Sequence, residues 1–200
     1  MIEYTSDLRK ALAQISHCRY SLFMPNNTRR TALLVMDVQA GVVERIADKD
    51  AYLARAQSVV ERARERGMLI IHVIVSFRPG APEANAMFRP FAPMVVNAQP
   101  VMAVAEGDVV VAKKRISAFT GSDLEVLLRA SDIRDLTLCG IATSGVVLST
   151  FREAADKDYT LTVLSDLCAD QDEEVHRVLL EKIFPRQGTV ITSAEWLASA

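Results

Sequence analysis

Cysteine is scarce and unpatterned in this chain. Cys18, Cys139 and Cys168 are the only three in 200 residues, an odd number that cannot all pair, with neither a C-x-x-C nor a Cys/His zinc spacing. They read as small buried hydrophobes in a reducing cytoplasm. Long apolar runs are lacking too, so no stretch reaches the roughly 20 residues of a membrane span. The opening MIEYTSDLRK carries acids where a signal peptide would carry an apolar core. Nor is there an excess of one charge: 23 basic and 25 acidic side chains leave a net −2. That balance offers nothing to nucleic acid or an anionic membrane surface. What is present is a chain 50% hydrophobic and 24% charged, enough for one soluble domain with a full core.

Residues 1–30 read as an appendage with one helix over 6–16, where Leu8, Ala11, Leu12 and Ile15 recur at helical spacing behind a Ser6 cap. The domain proper is expected over 31–200. Short continuous apolar runs at 31–36, 68–75, 108–112, 136–139, 160–164 and 189–192 predict buried strands. Helix-period segments at 50–67, 122–130, 146–156, 172–184 and 194–197 fall between and after them. Strands alternating with helices over long connections predict an α/β fold. It is a doubly wound, three-layer α/β/α arrangement with a six-stranded parallel sheet. The exception is 76–106, which holds Pro79, Pro82, Pro90, Pro93 and Pro100 and reads as a lid or interface loop.

Three strand ends bring chemistry to one rim of such a sheet: Asp37, Lys113 and the small-residue turn 140–146. An ammonium beside a carboxylate holds it ionised, and the carboxylate can then move protons. Amides of a tight turn opening a helix can hold a developing oxyanion. Each feature alone has a plainer reading, as a turn former, a solvated lysine or an ordinary turn. Their convergence on one rim favours function. His72 reads as a core histidine, and His17 and His176 as exposed helical ones. Asp166 and Asp170 read as caps of the segment after the fifth strand. Aromatic side chains Phe77, Phe88, Phe91 and Phe119 are candidates for a pocket wall.

Four stretches, LLVMDVQ (33–39), VVVAKKRISAF (109–119), LCGIATSGVVLSTFREA (138–154) and VLSDLCAD (163–170), resemble in order and spacing the isochorismatase-like (cysteine hydrolase) superfamily. The resemblance spans about 31–197 and implies a catalytic pair, Asp37 and Lys113. It also implies a non-proline cis peptide between Ile141 and Ala142 and oxyanion donors at the N–H groups of Ala142 and Val146. Ungapped, it sets Val146 where amidase members carry the nucleophilic Cys. The expectation is therefore a thiol-independent hydrolase, in which Asp37 moves the proton and water attacks a vinyl ether or related bond. The alternatives are a binding or assembly protein without turnover, and an amidase using a displaced thiol, Cys139 or Cys168. Substrate contacts are expected at Gln39, Phe77, Arg78, Arg115, Phe119, Ile141, Thr143 and Ser144. Ser76-Phe77-Arg78 offers no Asp-x-His pattern, so neither a metal nor another cofactor is expected. The partners expected are a small-molecule substrate and further copies of the chain, as a dimer or tetramer.

Overall fold

The computed structural model describes residues 31–199; the helix expected within 1–30 lies outside the described residues, as do His17 and Cys18. Strand β1 (Thr31–Met36) is buried from Ala32 onward, as an unbroken apolar run requires when both sheet faces are covered. It lies between β2 (Leu69–Val75) and β4 (Asp135–Ile141), with Ala32 in register with both Leu69 and Leu136. The remaining strands are β3 (Val109–Lys113), β5 (Thr160–Ala169) and β6 (Thr189–Ile191). All pairings are parallel, in the order β3-β2-β1-β4-β5-β6. The chain thus walks outward from β1 to β3, then returns to the other side of β1 for β4. In such sheets the crevice at that reversal receives ligands.

Helix α1 (Lys49–Glu65) buries Tyr52, Ala56, Val59, Val60 and Ala63 on one face of the sheet. There it meets α5 (Ser193–Ala198) through Trp196. Helices α2 (Leu124–Ala130) and α3 (Leu148–Asp156) cover the opposite face through Leu124, Leu128, Phe151 and Ala154. Helix α4 (Glu173–Val178) opens on Asp172, whose carboxylate accepts the N–H groups of Glu174 and Val175. This is the layered α/β arrangement the alternating pattern predicts.

Two elements depart from the sequence reading. Strand β5 does not stop at Leu164 but runs to Ala169. Its register against β4 jumps from Leu138↔Val163 to Gly140↔Cys168, and this irregularity hides the polar pair Ser165-Asp166 inside the strand. The helix expected over 172–184 is α-helical only through Val178 and then widens into a π-turn, Leu179–Ile183. The Pro-rich segment forms one short 3₁₀ turn, Ala92–Val95, and packs Phe77, Ala84, Ala92 and Val95 into a small cluster of its own.

Candidate active site

The rim of the sheet at the β1/β4 reversal is built by three strand ends. Asp37 follows β1 directly in left-handed backbone conformation (φ 57) and donates its N–H to the Val73 carbonyl at 2.8 Å; Asp is one of the few residues that tolerates this region. Lys113 is the last residue of β3, and its Nζ lies 3.0 Å from Asp37 Oδ2 and donates to the Arg115 carbonyl at 3.0 Å. Both side chains are withdrawn from water, with 7% of Asp37 and 1% of Lys113 exposed. Among the described residues Asp37 Oδ1 has no hydrogen-bond partner. Burial raises the Asp37 carboxyl to about 6, against the opposing pull of the Lys113 charge. Burial likewise lowers Lys113, against the pull of Asp37.

The third strand end is the turn after β4. Gly140 has φ 151, and a Cβ there would stand 2.2 Å from the Met36 carbonyl oxygen. Only glycine lets the ends of β4 and β1 lie so close. The Ile141–Ala142 peptide is cis, and a π-turn, Thr143–Val147, then leads into α3. Within it the N–H groups of Gly145 and Val147 both donate to the Ala142 carbonyl, at 3.1 and 3.2 Å. The Ser144 N–H donates to Asp170 Oδ2 at 2.7 Å, and Thr143 Oγ1 lies 2.8 Å from His176 Nδ1.

These pieces enclose a cavity of about 990 Å³ whose lining includes Asp37, Lys113, Ile141, Ala142, Ser144 and Val146. Its outer wall takes Met87, Phe88, Phe91 and Met94 from the Pro-rich segment, and Ile46 and Ala47 line the cavity as well. Phe88 and Phe91, two of the four candidate wall aromatics, are therefore in place.

Six expected substrate contacts do not line the cavity, and each has a structural occupation instead. Gln39 is buried, its Nε2 donating to the Val75 carbonyl while its Oε1 accepts the Val75 N–H. Phe77 packs edge-on against Phe88 inside the loop cluster. Arg78 is held by Glu83 at the surface, and Arg115 donates to the carbonyls of Glu83 and Lys114. Phe119 stacks on Tyr159 in the main core, and Thr143 is fully buried beneath the cavity wall. Ile141 and Ser144 do line it.

The sequence reading also misplaced two residues. His176, expected to be exposed, is half-buried against Thr143 and lines the cavity. Asp170, expected to cap the following segment, does accept the Asp172 N–H at 3.4 Å but accepts a shorter bond from the Ser144 N–H and lines the cavity as well. Neither contact could be found by periodicity, because each joins residues more than 25 positions apart. Of the thiols, Cys139 donates to the Leu34 carbonyl on the α1 side of the sheet, and burial pushes it up to about 12. Cys168 lines the cavity, but burial pushes its thiol well above the ordinary range. Among the described residues no group of three or more His, Cys, Asp or Glu side chains could hold a metal ion.

A family model described as Isochorismatase domain matches residues 31–195. YwoC of Bacillus subtilis, an uncharacterized isochorismatase family protein, is 33% identical over 181 residues, covering 84% of this chain and 93% of its own. A solved isochorismatase family protein from Burkholderia thailandensis superposes with a TM-score of 0.74 at 32% identity, covering 86% of this chain and 96% of that one. An Arabidopsis thaliana relative named a probable inactive nicotinamidase is 29% identical over 171 residues, covering 76% of this chain and 87% of its own. With a six-stranded parallel sheet of matching topology and a family match over nearly the whole described chain, this protein belongs to the isochorismatase family of hydrolase-like proteins.

Proposed function

We propose that this chain hydrolyses a small molecule without a protein thiol, using Asp37 for proton transfer, Lys113 to position it, and water as the nucleophile. The observation that carries the reading is the Asp37 carboxyl, raised to about 6 with Oδ1 buried and unpartnered, on a residue that lines the cavity. An acid with that pKa holds a usable share of both protonation states near neutral pH, as proton-transfer catalysis requires. A vinyl ether or related bond suits it. Protonation of the terminal carbon by Asp37 leaves an oxocarbenium ion, and water adds to it. The resulting hemiketal then splits to a carbonyl and an alcohol, and Asp37 regains a proton from the added water. The Ala142 and Val146 amides are the donors assigned to the departing oxygen, which gathers negative charge as the hemiketal splits. In this reading Val146 occupies the place of the amidase cysteine, and neither Cys139 nor Cys168 is ionised enough to replace it.

The test is turnover of a panel of vinyl ethers, esters and amides by the wild type and Asp37→Asn. Removing the proton-transfer group should cost about 10²–10⁴-fold in rate; an unchanged rate would sink the proposal. The relative named a probable inactive nicotinamidase favours one second reading, a protein that binds without turnover. Thermal stabilisation by panel members that are never consumed would establish it. Cytoplasmic location and a homo-oligomer belong to the same proposal, and light scattering checks the latter.

A further inference from the structure

His176, which lines the same cavity as Asp37 and Lys113, is paired with Thr143. Thr143 follows the cis peptide and is fully buried. Its only side-chain partner among the described residues is His176 Nδ1, at 2.8 Å. A buried hydroxyl that accepted from Nδ1–H would leave its own hydrogen without an acceptor, which is costly. The arrangement that satisfies every atom has Thr143 donating to Nδ1, and the imidazole proton then resides on Nε2. Among the described residues Nε2 has no hydrogen-bond partner, and His176 lines the cavity that Asp37 lines. Asp170 is engaged by the amides of Ser144 and Asp172, and Glu173 is exposed.

We infer that His176 is a substrate-contacting residue, whose Nε2–H donates to a carbonyl or carboxylate oxygen of the bound molecule while Thr143 fixes the tautomer. The inference rests on the proposed site but not on its chemistry, since the contact would serve a bound ligand whether or not it is turned over. The aromatic and thioether wall formed by Phe88, Phe91, Met87 and Met94 suits a probe with an apolar ring beside the acceptor. Benzoate and benzamide are such probes, and benzylamine is the matched molecule without an acceptor.

The experiment follows the histidine ring nitrogens by NMR, with the His176 signals assigned by their loss in His176→Asn. Adding benzoate or benzamide to the wild type should shift the His176 Nε2 resonance, and benzylamine should not. Affinity for the two acceptor probes should fall at least tenfold in His176→Ala, less in His176→Gln, which can still donate, and several-fold in Thr143→Val. Melting temperatures of the variants in the absence of probe establish that they are folded. Asp37→Asn should keep the response, so an unchanged turnover rate in that variant with the shift retained would count against the proposed chemistry alone. An unmoved Nε2 signal, equal affinity in His176→Ala, or affinity lost in Arg45→Ala instead, Arg45 being the cation at the cavity rim, would overturn the inference.

Discussion

The cavity has two walls of opposite character. The inner wall is made by strand ends and the turn after β4, where Asp37, Lys113, Ile141 and Val146 are all buried. The outer wall comes from the Pro-rich segment, where Met87 is 61%, Phe91 50% and Met94 58% exposed. Proton-moving groups need fixed positions, and a sheet supplies them at no extra ordering cost to the loop. Apolar side chains on a loop can accommodate different bodies without disturbing that geometry. In the proposed function, chemistry and selectivity are thus carried by separate parts of the molecule.

The sharpest way to break this division is Gly140→Ala. The new Cβ would strike the Met36 carbonyl oxygen at a backbone angle suited only to glycine, and we expect a loss of at least about 3 kcal/mol in denaturant unfolding. Phe77→Ala comes next, at about 3 kcal/mol, because it empties the loop's own core rather than the cavity. Activity should survive it far better than it survives Asp37→Asn.

A third test uses pH. Burial raises Asp37 to about 6 in the fold against an ordinary 3.8, so the fold prefers it protonated. Its contribution to stability is complete below pH 3.8 and lost as pH rises through 6. The stability of Asp37→Asn should therefore gain on that of the wild type across pH 4–7, by roughly 3 kcal/mol, measured by urea unfolding at each pH. A flat difference would mean that Asp37 is not desolvated. The smallest effect is expected on the outer wall. Phe91→Ala should alter stability by less than about 0.5 kcal/mol yet change KM several-fold for ligands with an apolar body, leaving kcat nearly unchanged.

The same division governs what the sequence discloses. Strand ends are legible because apolar runs stop abruptly at Asp37, Lys113 and Gly140, and the family resemblance assigns them roles. Contacts between distant loops leave no such mark. Phe77 and Arg78 follow β2 closely enough to suggest a pocket, yet Phe77 turns into the loop cluster and Arg78 outward to Glu83. Gln39 and Thr143 are polar and close to the site, but burial commits each to one internal bond pattern. His176 reads as one more polar residue on a helix until the fold sets it against Thr143. The extension of β5 was hidden for a similar reason, since Ser165 and Asp166 look like a strand's end. Inside the fold they bond to residues far along the chain: the Asp166 carboxylate accepts the Ser193 N–H and hydroxyl, and the Ser165 hydroxyl donates to the Ile191 carbonyl.

Gln39 carries a further consequence. Its carboxamide occupies both main-chain groups of Val75, acting as a borrowed peptide unit that laces the tail of one strand to the next. The floor beneath the acid is thereby latched on that side. Amide exchange should be slow at Val75, whose N–H the carboxamide holds, and fast along 85–94.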